Sequence, residues 1–150
     1  ATSHSLSYLG IADIFVFLYY GVIAACGTTY LQTGLFSWTV FYAGGVCGLI
    51  SMCVLLINNL RDMDNDRMVG KKTLPVRFGR KAGLGLMLLV VLLMPLFAYL
   101  AFASLLPILV LIPGLILWVT VCKAHGTIYN RCLMCAGLIN VLYTLLVLFR

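Results

Sequence analysis

The chain has 150 residues, of which 63% are hydrophobic and only 9% are charged, and its mean hydropathy is +1.11. Soluble domains carry roughly a quarter charged residues, so this chain has too little polar surface to cover a water-soluble globule. The net charge of +6 lies almost wholly between the apolar stretches, where topology-setting Lys and Arg are found, and it does not indicate nucleic-acid binding. The composition therefore predicts one all-α integral membrane domain over residues 1–150.

Five apolar stretches are candidates for transmembrane helices. After a polar start at residues 1–10, the predicted spans are Ile11–Gln32, Phe36–Ile57, Gly83–Phe102, Ile108–Val121 and Cys132–Phe149. Small residues in the first two spans, including Gly21, Gly44 and Gly48, favour close helix packing in lipid. In this topology every Lys and Arg except Arg150 lies on one side of the membrane, and the positive-inside rule makes that side cytoplasmic.

The second span continues without a helix breaker into an Asn/Asp motif that holds three of the four acidic residues of the chain. Positions three and four apart share a helix face, so Asn58, Asn59, Asp62 and Asp66 are predicted to form one stripe, with Asp64 pointing away. Carboxylates that close raise each other's pKa unless a cation is present. Mg²⁺ takes oxygen ligands and commonly joins one or two carboxylates to a substrate phosphate. The stripe is therefore a candidate Mg²⁺–diphosphate site.

A basic segment follows the motif directly. Arg67, Lys71, Lys72 and Arg77 are candidates for binding the phosphate oxygens that the metal does not reach. Gly70 is predicted to end the helix, so that the chain folds back over the site.

The residues also bear on three other interpretations of the motif: an EF-hand, a solvated loop and a cation pathway. An EF-hand is excluded, because the sixth position of the loop is Arg67 rather than Gly and the twelfth is Thr73 rather than Glu. Most mixed charge runs are solvated loops, but the stripe, the Asn pair and the basic segment together argue against that interpretation. A cation or proton pathway in a non-enzymatic transporter subunit stays open.

Three further polar features receive no catalytic role. Asp13, near the start of the first span, could be a ligand or a proton site, but the preferred interpretation is an interfacial carboxylate favoured by the helix dipole. Cys132 and Cys135 form a lone CxxC with no second ligand pair, and are interpreted as packing thiols. His125 is interpreted as a solvated loop residue.

The motif resembles the second aspartate-rich motif of the UbiA-type membrane prenyltransferases, (N/D)xxDxxxD, at Asn59, Asp62 and Asp66. The wider string over residues 58–79, NNLRDxxxDRxxGKxTLxVRxG, is most similar to the branch of that family that prenylates 1,4-dihydroxy-2-naphthoate. The segment Gly10–Asp13 and the run Gly27–Gln32 are similar to the same branch.

This resemblance implies an Mg²⁺-dependent transferase of menaquinone biosynthesis in the inner (plasma) membrane, with cytoplasmic active-site loops. It would move a polyprenyl group from a polyprenyl diphosphate to 1,4-dihydroxy-2-naphthoate, with loss of CO₂ and diphosphate, giving demethylmenaquinone. The resemblance implies the catalytic metal ligands Asp62 and Asp66, the assisting ligands Asn59 and Asn58, and the diphosphate-binding residues Arg67, Lys71, Lys72 and Arg77.

The first motif of the family, of the NDxxD type, does not occur in this sequence. The five spans correspond to the C-terminal five helices of a nine-helix bundle, so the N-terminal half of the same protein is an expected partner. The chain by itself is expected to be inactive. Three alternatives stay open: another ring acceptor such as 4-hydroxybenzoate, a haem or a chlorin; a cation pathway; and a catalytically dead remnant.

Overall fold

The computed structural model describes residues 12–149, so the predicted polar start at residues 1–10 lies outside the described part of the chain. Within that part the chain is helical and contains no strand. Its helices are α1 Ala12–Thr33, α2 Trp38–Arg61, α3 Met63–Met68, α4 Leu74–Phe78, α5 Arg80–Phe102, α6 Leu111–Cys122 and α7 Ile128–Leu148. A 3₁₀ turn, Leu106–Val110, leads into α6.

The predicted all-α membrane architecture is confirmed, with one difference in the length of a span. Four helices, α1, α2, α5 and α7, are long and apolar enough to cross a membrane, with 21 to 24 residues each. The predicted span at Ile108–Val121 is instead a 12-residue helix, α6, that rises about 18 Å. The 3₁₀ turn before it adds about 10 Å, because a 3₁₀ helix rises about 2 Å per residue.

Helices α1 and α2 pack against each other at backbone distance. A Cβ atom on Gly48 would lie 2.6 Å from the carbonyl oxygen of Phe17 and 2.9 Å from the Cα of Gly21. A Cβ on Gly44 would lie 2.8 Å from the carbonyl oxygen of Gly21. Gly21 belongs to a π-helical segment, Phe17–Ile23, that interrupts α1. The predicted role of small residues is confirmed, and these contacts fix the register of α1 against α2.

The apolar core lies mainly between α2 and α5, with α6 and α7 closing around it. Its fully buried members include Leu56, Ile57, Met87, Val90 and Val91. Two hydrogen bonds tie the outer helices to the core: the indole Nε1 of Trp118 donates to the carbonyl of Leu84 at 2.9 Å, and the Tyr143 hydroxyl donates to the carbonyl of Ala43 at 3.3 Å. The central helix α2 packs against α1, α5 and α7, and it carries the Asn/Asp motif at its C-terminal end.

Arg80, at the start of α5, ties the second polar loop to the bundle. Its guanidinium donates to the carbonyl oxygens of Val121, Cys122 and Ala124 at 3.2–3.3 Å and to the hydroxyl of Tyr129 at the start of α7. The last carbonyls of a helix have no partner within it, so an arginine placed there stabilises the end of α6. The start of α7 is thereby held against the start of α5.

Candidate active site

The backbone of the motif bends in its middle. Helix α2 ends at Arg61, and the chain bends at Asp62, with φ −95° and ψ 9°, before α3 begins. The stripe predicted on a single helix is therefore divided between two helices, which corrects that prediction. The hydrogen-bond ladder still passes through the bend: the amide of Asp62 donates to the carbonyl of Asn58 at 2.9 Å, and the amide of Asp66 donates to that of Asp62 at 2.8 Å. Asn58, Asp62 and Asp66 thus remain one turn apart.

Asp62 is paired with the residue that precedes it. The guanidinium of Arg61 donates to both carboxylate oxygens of Asp62 at 2.8 Å, and its third nitrogen donates to Oδ1 of Asn130 at 3.0 Å. The bonded guanidinium holds the pKa of Asp62 below its ordinary value. Asp62 is therefore ionised at neutral pH, and Arg61 links it to the start of α7. Asn130 stands alone in the sequence, with no motif around it to mark it.

Asp66 is the most buried carboxylate of the motif, with 5% of its surface exposed. The ammonium of Lys71 lies 2.9 Å from its Oδ1, and the backbone amide of Lys71 donates to its carbonyl oxygen at 2.9 Å. The intervening Gly70 has φ +76°, a left-handed conformation that glycine adopts without strain. The prediction that the helix ends at this glycine and the chain folds back is confirmed, and the fold-back places a cation on the buried carboxylate.

Asn59 faces the start of α1. Its Nδ2 donates to Oδ1 of Asp13 at 3.3 Å, and both side chains are buried, with 8% and 3% of their surfaces exposed. Asp13 lies in the first turn of α1, where the helix dipole favours a carboxylate, as expected. The structure also buries it against the motif, a contact that the sequence did not predict. The available signal was the acidic residue itself, at the edge of an apolar span, since such acids are rare and often functional.

The remaining predicted diphosphate residues lie on the surface around the motif. Arg67 and Asp64 approach to 3.9 Å, but both side chains are largely exposed. Lys72 is exposed, and the exposed Arg77 lies over the ring of Phe78. Lys71 lies on Asp66, a predicted metal ligand, at 2.9 Å. The others form a basic surface next to it.

Two apolar grooves lie along the helices. The groove nearest the motif, of about 260 Å³, is lined by Val16, Tyr20, Ser51, Val54, Leu55 and Asn58. It runs between α1 and α2 and includes a motif residue. A larger groove, of about 580 Å³, lies between α6 and α7 and includes Arg131, but none of the eight predicted site residues lines it. The smaller groove is therefore the one that opens at the motif.

The chemistry of the donors fits Mg²⁺. Asp62 and Asp66 offer carboxylate oxygens, and Asn58 and Asn59 offer carboxamide oxygens, which are the hard ligands that Mg²⁺ takes. Within residues 12–149, no three His, Cys, Asp or Glu side chains lie close enough together to hold a metal ion alone. Mg²⁺ commonly binds through only one or two carboxylates and completes its shell with water and substrate phosphate, so the chemistry of these donors is compatible with it.

Comparisons with known proteins agree with the motif. The family model described as "UbiA prenyltransferase family" matches residues 3–147. The 1,4-dihydroxy-2-naphthoate octaprenyltransferase of Escherichia coli is 42% identical over 72 residues, which are 48% of this chain and 23% of that protein. The protein of the same name from Haemophilus influenzae is 41% identical over 76 residues, 51% of this chain and 25% of that protein.

A more distant relative is named for a different activity. The 2-carboxy-1,4-naphthoquinone phytyltransferase of Synechocystis is 28% identical over 78 residues, 52% of this chain and 25% of that protein. The matched segment thus spans about a quarter of the length of each of these relatives. No solved structure matches the chain.

Proposed function

The chain belongs to the UbiA prenyltransferase family, and we propose that it is part of an enzyme that transfers a polyprenyl group from a polyprenyl diphosphate to 1,4-dihydroxy-2-naphthoate. The bond from the first prenyl carbon to the diphosphate oxygen breaks, and a bond to the ring carbon that carries the carboxylate forms. That carboxylate leaves as CO₂, so the products are diphosphate and the reduced form of demethylmenaquinone. The acceptor is proposed from the names of the relatives and from the string over residues 58–79.

One observation carries this proposal: two carboxylates one helical turn apart, each bonded to a cation, at the end of a membrane helix. Asp62 is bonded to Arg61 and Asp66 to Lys71, while an apolar groove opens beside them at Asn58. Carboxylate oxygens would hold a metal ion, and nearby cations would hold a diphosphate. Both types of group are present within this short segment, next to a surface that suits a prenyl chain.

Bound Mg²⁺ would supply Lewis-acid and template chemistry at the leaving diphosphate. Asp62 and Asp66 would hold the metal, with Asn59 and Asn58 as assisting ligands. Lys71, whose ammonium lies on Asp66, would bind diphosphate oxygens, because its flexible side chain lets the ammonium turn from a carboxylate to a nearby phosphate. The basic surface formed by Arg67, Lys72 and Arg77 would hold the remaining diphosphate oxygens.

The apolar groove between α1 and α2 would hold the prenyl chain near the reacting carbon. Exclusion of water there protects the positively charged allylic carbon from hydrolysis once the C–O bond weakens. The apolar walls formed by Val16, Val54 and Leu55 suit that role, while Tyr20 places an aromatic ring in the same wall, where its face can stabilise positive charge.

A further segment of the same protein is part of this proposal. The family resemblance implies another metal motif, the first motif of the family, of the NDxxD type, on an N-terminal half of the bundle. Large apolar side chains on α1 are exposed, with 71% of Tyr20 and 87% of Leu31 accessible, and such a surface supports packing against further helices or lipid. The excess of Lys and Arg around the motif supports a multi-pass topology with this end of α2 on the cytoplasmic side. The membrane would be the inner (plasma) membrane, as the family resemblance implies.

The test is a membrane assay of the intact protein with radiolabelled 1,4-dihydroxy-2-naphthoate, a polyprenyl diphosphate, and either Mg²⁺ or EDTA. We expect a lipid-soluble radioactive product that forms only with the metal and the diphosphate. A product that forms only with 4-hydroxybenzoate or a tetrapyrrole would replace the proposed acceptor. Folded, inserted protein that forms no product with any of these acceptors, but conducts Mg²⁺ or protons, would refute the proposal in favour of a cation pathway.

A further inference from the structure

We infer that Asp13 is a positioning residue that fixes the orientation of the Asn59 carboxamide, so that its oxygen faces the metal–diphosphate site. The inference rests on the proposed function, because it assigns a role toward the group that the motif would bind. The observation behind it is the buried hydrogen bond from Nδ2 of Asn59 to Oδ1 of Asp13 at 3.3 Å.

The chemistry of the two groups determines which end of the amide faces which way. A carboxamide has a donor end and an acceptor end. In the structure the NH₂ end of Asn59 faces Asp13, because Nδ2 donates to Oδ1 of Asp13. The carbonyl oxygen, the only end that can bind a metal, is directed away from Asp13. Without such a partner, the two orientations of the amide differ little in energy.

The pair is built into the packing of the bundle. Both side chains are more than nine-tenths buried, so water competes little for the hydrogen bond between them. The glycine contacts of α1 with α2 hold the two helices in register farther along, where Gly21 lies against Gly44 and Gly48. Asp13 therefore reaches Asn59 through a rigid contact between helices rather than through a flexible loop.

This arrangement follows the pattern of metal sites in general. Ligands are commonly held by hydrogen bonds from groups that do not touch the metal, and loss of such a partner typically costs about 10- to 100-fold in metal affinity or activity. Asp13 would hold Asn59 in this way across the interface between α1 and α2, so metal affinity would depend on how these two helices pack.

The experiment measures binding of Mn²⁺ to the purified intact protein in detergent, from the electron paramagnetic resonance signal of free Mn²⁺. Asp13→Asn keeps the shape of the side chain but offers a donor as well as an acceptor, so either orientation of Asn59 becomes possible. We expect Mn²⁺ binding about tenfold weaker than in the wild type. The double variant Asp13→Asn/Asn59→Ala should bind no more weakly than Asn59→Ala alone, because there is then no amide left to orient.

A swapped pair provides a rescue. In Asp13→Asn/Asn59→Asp, the amide at position 13 donates to a carboxylate at position 59 and leaves that carboxylate one free oxygen. This variant should recover most of the Mn²⁺ affinity lost in Asp13→Asn, and it tests the inference even if Asp13→Asn folds poorly. Asp64→Asn is the matched control, since Asp64 is exposed on α3 and should leave Mn²⁺ binding unchanged.

Three results would overturn the inference. The first is wild-type Mn²⁺ affinity in folded Asp13→Asn. The second is that Asp13→Asn lowers Mn²⁺ affinity as much in the Asn59→Ala background as in the wild type. The third is a swapped pair that binds Mn²⁺ no better than Asp13→Asn. The second result would mean that Asp13 acts on the metal independently of the amide. If one of these results is found while the wild type transfers a prenyl group and binds Mn²⁺, only the role of Asp13 is refuted. If the wild type does neither, the proposed function is refuted and the inference with it.

Discussion

Replacing Arg61 by alanine should strengthen metal binding at the motif. In the structure the guanidinium of Arg61 occupies both oxygens of Asp62 at 2.8 Å. A metal ion that binds Asp62 would compete with this guanidinium for the carboxylate oxygens, so we expect the free energy of the ion pair to be subtracted from that of metal binding. The arginine is thus a competitor of the cation in the absence of substrate, although it is also free to turn toward a diphosphate once displaced.

The size of the effect follows from exposure of the pair. The side chains of Arg61 and Asp62 are 33% and 38% exposed, and ion pairs in that setting contribute about 0.2–1 kcal/mol. The two parallel hydrogen bonds place this pair toward the upper end of that range. Its removal should therefore tighten Mn²⁺ binding by up to about fivefold.

The assay is the Mn²⁺ titration of the detergent-solubilised intact protein. Arg67→Ala is the matched control, because it also removes one positive charge, but from the side of the exposed Asp64 instead of Asp62. The difference between Arg61→Ala and this control should shrink in high salt, since exposed charges are screened. Weaker Mn²⁺ binding in Arg61→Ala, or an equal gain in both variants, would show that Arg61 does not compete at Asp62 and would refute the reasoning.

Three other predictions concern activity, packing and pH. Asp66→Asn in the intact protein should lower prenyl transfer by orders of magnitude, since it removes a proposed metal ligand, whereas Asp64→Asn should change it little. Gly48→Ala should destabilise the protein by about 1–3 kcal/mol, because its Cβ meets a backbone carbonyl oxygen at 2.6 Å; Gly27→Ala, with nothing within 4 Å, should not. The neighbouring guanidinium lowers the pKa of Asp62 in the folded protein. The pair of Asp62 with Arg61 therefore stabilises the fold fully above the pKa that Asp62 has in the unfolded chain, and this stabilisation is lost as the pH falls through the pKa of Asp62 in the folded protein.

Each of these has a direct measurement. Turnover and the amount of protein in the membrane, measured for both aspartate variants, distinguish a loss of activity from a loss of folded protein. Full turnover in Asp66→Asn would show that Asp66 is not a metal ligand. Thermal unfolding compares the two glycine variants, and equal melting temperatures would mean that the close helix contact does not form. For the pH prediction, acid unfolding should begin at a higher pH in Arg61→Ala than in the wild type, and coincident curves would contradict the shift.

The local features of the site could be predicted from the sequence, because they depend on residues close together in the chain. The spacing of Asn59, Asp62 and Asp66 follows from helix periodicity. The fold-back that brings Lys71 to Asp66 follows from the conformational freedom of Gly70. The membrane helices follow from hydropathy alone, and α5 continues through Pro95 as expected for a helix in a bundle.

The long-range pairs of the site could not be predicted in this way. Asp13 meets Asn59 across 46 residues, and Arg61 meets Asn130 across 69. Both meetings depend on how the helices pack, which is set by interlocking glycines and by the Arg80 network rather than by any local pattern. The bend at Asp62 was also missed, because no proline or glycine marks it in the sequence.

The π-helical segment Phe17–Ile23 has a consequence for how α1 presents Asp13. A π-helix closes its hydrogen bonds over five residues instead of four, so the segment takes up one residue more than a regular α-helix would over the same turns. If the segment became a regular α-helix with its length unchanged, everything before it would rotate by about 100° about the helix axis. Asp13 would then turn away from Asn59 with neither residue altered. A substitution within Phe17–Ile23 that favours the regular helix would therefore separate the two side chains from a position distant from the carboxylates.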